Sequence, residues 1–216
     1  MDLSALPDNT ITIGERSEVS GLLVVLHGSL LMPKIAALLA SGELDATKLP
    51  QCLTITAPSD QACYSPWPAS SVRTKVPNFE GLGKEFLSDV VLPAVEKYAA
   101  LATHTAEDTC PITLLGYSLS GLCSLFEMQT TCRFDQYLLA SPSTWFPGFV
   151  ETFDTSHVRA DIRWCIASGE NEGKNHPEPL RSVRQTTDAL VEKLAAAAPK
   201  YQRMLDSYDH HKGLEL

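Results

Sequence analysis

The chain has 216 residues, 44% of them apolar, with a formal net charge of −9 and a pI near 5.1. That length suits one large domain over residues 1–216, with enough apolar material for a sizeable core. The acidic balance argues against nucleic-acid binding, which needs a concentrated basic face; the two most basic stretches, residues 73–75 and 181–184, are short.

The N-terminal MDLSALPDNT has neither a basic n-region nor an apolar h-region, so no signal peptide is expected. No apolar run approaches the roughly 18–20 residues of a membrane span. The six cysteines form no CxxC pair, and Cys52, Cys123 and Cys165 sit in apolar runs. They read as reduced thiols in a cytoplasmic protein. Neither Cys nor His spacing fits zinc, so no metal and no cofactor are expected.

In chain order, 21–27 (GLLVVLH) is a continuous apolar run suited to a strand buried on both faces. Residues 32–40 have helical character. The alternating, β-branched 52–57 (CLTITA) reads as a strand, and 61–79, rich in Pro and Ser, as a long loop of the kind that often carries function. Helical spacing of Leu82, Phe86, Val90, Val95 and Tyr98 predicts a helix over 81–103, with a kink at Pro93. Then come a strand at 111–115, a helix at 119–130, strands at 136–140 and 162–167, a helix at 177–198 and a last strand at 201–208. Strands alternating with helices predict an α/β fold, a mostly parallel sheet covered on both faces. Ligands of such sheets bind at the carboxyl ends of the strands. The groups His27–Ser29, Ser118, Ser141–Trp145, Glu170, Glu172, His210 and His211 all follow predicted strands.

The stretch LLGYSLSGL, 114–122, connects a strand directly to a helix. A sharp turn there holds Ser118 out above the sheet, at the positive end of the following helix. Serine hydroxyls are weak nucleophiles and need a histidine base oriented by an acid. Ser118 is followed in the chain by Glu170 and Glu172, then by His210 and His211, the order Ser, acid, His expected of an α/β-hydrolase. His210, directly after Asp209, is the preferred base and His211 the alternative. Glu172 and Glu170 compete as the acid, with Asp209 and Asp206 behind them. The backbone N–H of Leu119 faces an oxyanion beside Ser118. A second N–H is expected from Ser29 or Leu30, in the loop after the strand GLLVVLHG. His27 is expected to shape that loop, and His176 receives no role.

Several stretches together resemble the esterase branch of the α/β-hydrolase superfamily that includes enterochelin-esterase-like proteins. GYSLSGLCSLF is similar to its serine-elbow pattern, ASPSTWFPGF (140–149) to its A-S-P-S-x-W block, and YSPWPASS (64–71) to an S-P-W loop of small bacterial members. SGENE resembles its Gly-acid-x-acid turn and DHHK its final N-H-x-K segment. The resemblance runs from about residue 20 to the end. It departs from the pattern at Ser120, where the family has Gly or Ala, and at Asp209, where it has Asn. It implies an α/β-hydrolase fold with minimal or no lid, Ser118 as nucleophile, His210 as base and Glu172 as acid, with Glu170 the alternative. The expected activity is hydrolysis of a carboxylic ester or thioester, a small molecule, through an acyl-enzyme. A catalytically silent binding protein and an acyltransferase are the alternatives. Trp67, Trp145, Phe146 and Phe149 fall in loops beyond strand ends and are expected to line the substrate pocket or to pack those loops onto the sheet.

Overall fold

The apolar run that opens the sheet region becomes strand β2 (Val19–Leu26), whose last six residues are buried. It lies inside a seven-stranded sheet seen in a computed structural model that describes residues 10–15, 17–72, 75–99 and 110–206. The other strands are β1 (Ile11–Ile13), β3 (Pro50–Ile55), β6 (Ile112–Tyr117), β7 (Gln136–Ala140), β8 (Arg163–Gly169) and β9 (Tyr201–Asp206), in the order β1-β3-β2-β6-β7-β8-β9. Every pairing is parallel except β1 with β3. Strand β1 was not anticipated: three residues are too few for a periodic signal. The chain leaves β2 toward β3 and returns on the other side of β2 at β6. The crevice at the carboxyl ends of β2 and β6 is therefore the place where such a sheet binds ligands.

The sheet has two apolar faces. On one, Leu23, Val25 and Tyr117 pack under Leu31 of helix α1 (Gly28–Ser41). On the other, Leu22, Val24, Leu26, Leu114 and Ile166 meet helix α5 (Leu119–Thr130) and helix α7 (Val183–Ala197). This second cluster is the main core. It also holds Tyr64, Phe86, Phe134, Phe146 and, at the start of helix α6 (Phe149–Thr152), Phe149, all nearly inaccessible to solvent.

Three segments differ from expectation. The region 61–79 is not a plain loop. It contains the short helix α2 (Asp60–Cys63) and a two-stranded ribbon of β4 (Pro68–Ala69) and β5 (Phe79–Glu80). The helix expected over 81–103 is described as far as Ala99. It runs as α3 (Gly83–Phe86), a wide π turn (Leu87–Val91) and α4 (Leu92–Ala99). Pro93 has no N–H to complete an α-helical ladder, and the wide turn just ahead of it absorbs the mismatch. The expected helix 177–198 begins with a 3-10 turn (Leu180–Ser182) before α7.

All six cysteines are free thiols. Cys63 and Cys132 join Cys123 in the buried set, whereas Cys52 and Cys165 are half-buried. Among the described residues no helix is long and apolar enough to cross a membrane.

Candidate active site

Ser118 sits between β6 and α5 with φ 55° and ψ −117°, a backbone conformation that non-glycine residues adopt only when the surroundings impose it. The surroundings here are explicit. Its N–H donates to Ala140 on β7 (3.0 Å), and its carbonyl accepts from the N–H groups of Leu122 and Ser143 (both 3.0 Å). Gly116 makes the turn possible: a Cβ there would stand 2.4 Å from the Ser120 carbonyl oxygen and 2.5 Å from Ser124 Oγ.

Ser120, the departure from the family pattern, has a structural reason. It is fully buried, and its hydroxyl donates to the carbonyl of Tyr117 (2.8 Å) and accepts from that residue's N–H (2.9 Å). It thus pairs the backbone at the end of β6, which a glycine could not do. Close helix approach falls instead at Gly121, where a Cβ would lie 3.1 Å from Pro142.

The segment after β7 links the serine to the acid. Ser143 Oγ is 3.4 Å from Ser118 Oγ. Two residues earlier, Ser141, itself left-handed at φ 42°, donates its hydroxyl to Glu172 Oε1. The same carboxylate oxygen accepts from the Gly169 N–H (3.1 Å). Glu172 is 5% exposed, while its rival Glu170 is exposed to solvent. Burial and the charge of Glu172 push the Tyr117 phenol up to about 12, so it stays protonated at neutral pH. Thr144 completes the segment by hydrogen bonding to the Val183 carbonyl (3.2 Å) and to the Thr186 and Thr187 hydroxyls, which docks the start of α7 beside the site.

These residues open onto a cavity of about 220 Å³. Ser118, Leu119, Ser143, Glu172, His176 and Gln61 supply its polar wall, and Val72, Val76, Phe79, Trp145, Leu180 and Val183 its apolar wall. Leu119 opens helix α5, and its N–H has no acceptor among the described residues. A hydroxyl on this turn, next to a helix N-terminus and a free N–H, can attack an electrophilic carbon whose oxygen the N–H then stabilises.

The second oxyanion donors expected at Ser29 and Leu30 have other partners. Helix α1 begins at Gly28, immediately after His27 takes a left-handed turn at φ 65°. Ser29 and Leu30 therefore lie in its first turn. The Ser29 N–H donates to Thr56 Oγ1 (3.2 Å) and the Leu30 N–H to the His27 carbonyl (3.0 Å). Both donors are committed, and neither residue lines the cavity. His27 shapes this corner: its N–H reaches Ile55 O and Tyr64 Oη (2.9 Å each), and its Nε2 lies 3.3 Å from Asp60 Oδ2. Burial raises the Asp60 carboxyl, an effect the His27 charge opposes.

The aromatic pocket also divides. Trp145 lines the cavity, joined by Phe79. Phe146 is buried, with ring centroids 5.1 Å from Phe79 and 5.7 Å from Trp67. Trp67 also stacks on Phe149 and donates Nε1 to the Pro147 carbonyl (3.2 Å). Trp67, Phe146 and Phe149 thus pack two loops together. Asp209, His210 and His211 lie outside the described residues, as does the side chain of Asp206. Sequence reasoning gave no role to Ser141, Ser143, Gln61 or His176. The first two stand in the ASPST block, whose density of small hydroxyl residues after a strand was the available signal.

A mostly parallel sheet in this strand order, with a left-handed serine on the tight turn between a strand and its helix, defines an α/β-hydrolase fold. Comparison with known proteins agrees on the fold. No family model matches the chain. Over 139 residues, 60% of its length, the chain is 27% identical to the uncharacterized protein YbbA of Bacillus subtilis (strain 168) and covers 54% of it, so it spans about half the length of that relative. An IroE-like serine hydrolase from Shewanella oneidensis superposes with a TM-score of 0.66 at 18% identity, over 94% of this chain and 71% of that one. The siderophore hydrolase EstA from Aspergillus nidulans superposes with a TM-score of 0.59, also at 18% identity, over 93% of this chain and 82% of that one.

Proposed function

We propose that the chain is a serine hydrolase that cleaves a small carboxylic ester or thioester through an acyl-enzyme on Ser118. The observation that carries this reading is the strained Ser118 at φ 55°, set at the N-terminus of α5 in the wall of a cavity it shares with buried Glu172. Strain of this kind persists at functional turns because the surrounding structure over-determines it. The fold neighbours described as a serine hydrolase and a siderophore hydrolase support the same reaction class.

In this mechanism Ser118 Oγ attacks the acyl carbon and a histidine takes its proton. His210 is the preferred base and His211 the alternative. Glu172 orients that base; its burial and its bonds to Ser141 and Gly169 fix the carboxylate, which the exposed Glu170 cannot match. The Leu119 N–H stabilises the oxyanion. Ser143, 3.4 Å from Ser118 Oγ, holds the hydroxyl rotamer. The cavity, at about 220 Å³, falls below the range of roughly 300–1,000 Å³ typical of drug-sized ligands and fits a short acyl group against Trp145 and Phe79.

The test is intact-mass labelling with a fluorophosphonate probe. Wild type should take one adduct, and Ser118→Ala none while remaining folded. Folded wild type that takes no adduct overturns the proposal.

A further inference from the structure

With Ser29 and Leu30 committed elsewhere, Leu119 is left without the second donor that oxyanion stabilisation normally uses. The cavity wall contains one candidate that no loop motif signals. Gln61 borders the cavity together with Ser118 and Leu119. Its backbone carbonyl accepts from Ser65 Oγ (2.6 Å), but its side-chain amide has no hydrogen-bond partner among the described residues. A carboxamide at a site mouth with two uncommitted N–H bonds is suited to meet a developing negative charge.

Gln61 is also held more firmly than a loop residue would be. Its helix α2 is capped by Ser59, which accepts from the Ala62 N–H through Oγ (3.3 Å) and from the Cys63 N–H through its carbonyl (2.9 Å). On one side Asp60 pairs with His27 (3.3 Å). On another, Cys123 Sγ of α5 contacts the Cys63 carbonyl at 4.0 Å, so α2 lies directly against the helix that begins at Leu119. Just beyond α2, the buried Tyr64 accepts from Ala57 and His27 N–H groups through Oη. These contacts fix the backbone that carries the Gln61 side chain at the cavity wall, so its amide starts within the site where charge appears.

We infer that the Gln61 side-chain amide donates the second hydrogen bond to the oxyanion, opposite the Leu119 N–H. The inference rests on the proposed serine-hydrolase reading. As Ser118 Oγ bonds to the acyl carbon, the carbonyl π pair moves onto oxygen, the serine proton passes to the histidine, and Gln61 Nε2–H and Leu119 N–H share the new negative charge. Collapse returns that pair to the C=O bond, and the alcohol leaves with the proton from histidine.

The experiment compares wild type, Gln61→Glu and Gln61→Met in hydrolysis of p-nitrophenyl butyrate and in the rate of fluorophosphonate labelling. Glu keeps the size and loses the donor; Met keeps the length and loses all polarity. The expected result is a fall in kcat of about 10²–10³-fold in both variants, with KM changed by no more than about threefold, and a parallel fall in labelling rate. Melting temperatures within about 2 °C of wild type would show that both variants fold. The inference is overturned if Gln61→Glu keeps kcat within about threefold of wild type, or if the loss falls on KM alone, as for a residue that only lines the pocket. If wild type takes no label, the Ser118 reading fails and this one fails with it. Normal labelling of wild type and of both Gln61 variants sinks the role of Gln61 alone.

Discussion

Gly116→Ala tests whether the turn at Ser118 depends on close contact between β6 and α5. The added Cβ would meet the Ser120 carbonyl oxygen at 2.4 Å, the Ser120 carbonyl carbon at 2.7 Å and Ser124 Oγ at 2.5 Å. Ser124 is buried and donates to that same Ser120 carbonyl (2.9 Å), so it cannot simply rotate away. Two of the three atoms are backbone. An ordinary contact begins near 3.4 Å, so strand and helix must part by about 1 Å. Overpacking of this kind costs about 1–3 kcal/mol, which for a chain of this size lowers Tm by about 2–12 °C. The functional loss should be larger in proportion. Parting the helix from the strand moves Ser118 and the Leu119 N–H together, and a displacement near 1 Å can cost about 10²-fold in rate. Thermal unfolding and hydrolysis of p-nitrophenyl butyrate, measured on the same preparation, read both effects. A Gly116→Ala protein with wild-type Tm and wild-type kcat/KM would refute the close-contact account of the elbow.

Two further predictions follow from buried carboxylates. Glu172→Ala should lower kcat/KM by about 10²–10⁴-fold, whereas Glu170→Ala, at an exposed position, should leave it nearly unchanged; the opposite ranking would return the acid role to Glu170. Glu127, buried at the far end of α5, accepts from Tyr137 Oη (2.5 Å), Thr131 Oγ1 and the Arg133 N–H (2.8 Å), and burial raises its carboxyl above 4.5 against those three bonds. The folded chain therefore holds this proton more tightly than the unfolded chain. The resulting stabilisation is fully present below 4.5 and is lost as pH rises through the raised folded value. The Tm of wild type relative to Glu127→Gln should accordingly fall as pH increases from 4.5. A pH-independent difference would show that Glu127 titrates alike in both states.

Much of this molecule can be read from local sequence. The continuous apolar runs of β2 and β6, the period of α5 and the order of strands and helices are properties of short windows. Within such windows, burial pattern and backbone preference decide the local structure. The elbow is legible for the same reason, since Gly116, Ser118 and Gly121 act within one turn of each other. The first turn of α1 was less legible. Nothing local announces that His27 turns left-handed and sends the chain straight into a helix at Gly28, with the Leu30 N–H on the His27 carbonyl and the Ser29 N–H on Thr56 Oγ1.

What the letters could not decide are relations across long stretches of chain. Glu172 is buried and Glu170 exposed because only one of them turns inward to meet Ser141, 31 residues earlier. Trp145 reaches the cavity while Phe146 beside it enters the core, a difference of one position set by how two loops pack on each other. Gln61 and Ser118 share a wall because β3 and β6 flank β2 and their following helices lie against each other. Composition and period govern whether a segment becomes a strand or a helix. The distance between two side chains depends instead on sheet order, register and the path of every connection between them, and those come into being only when the whole chain packs.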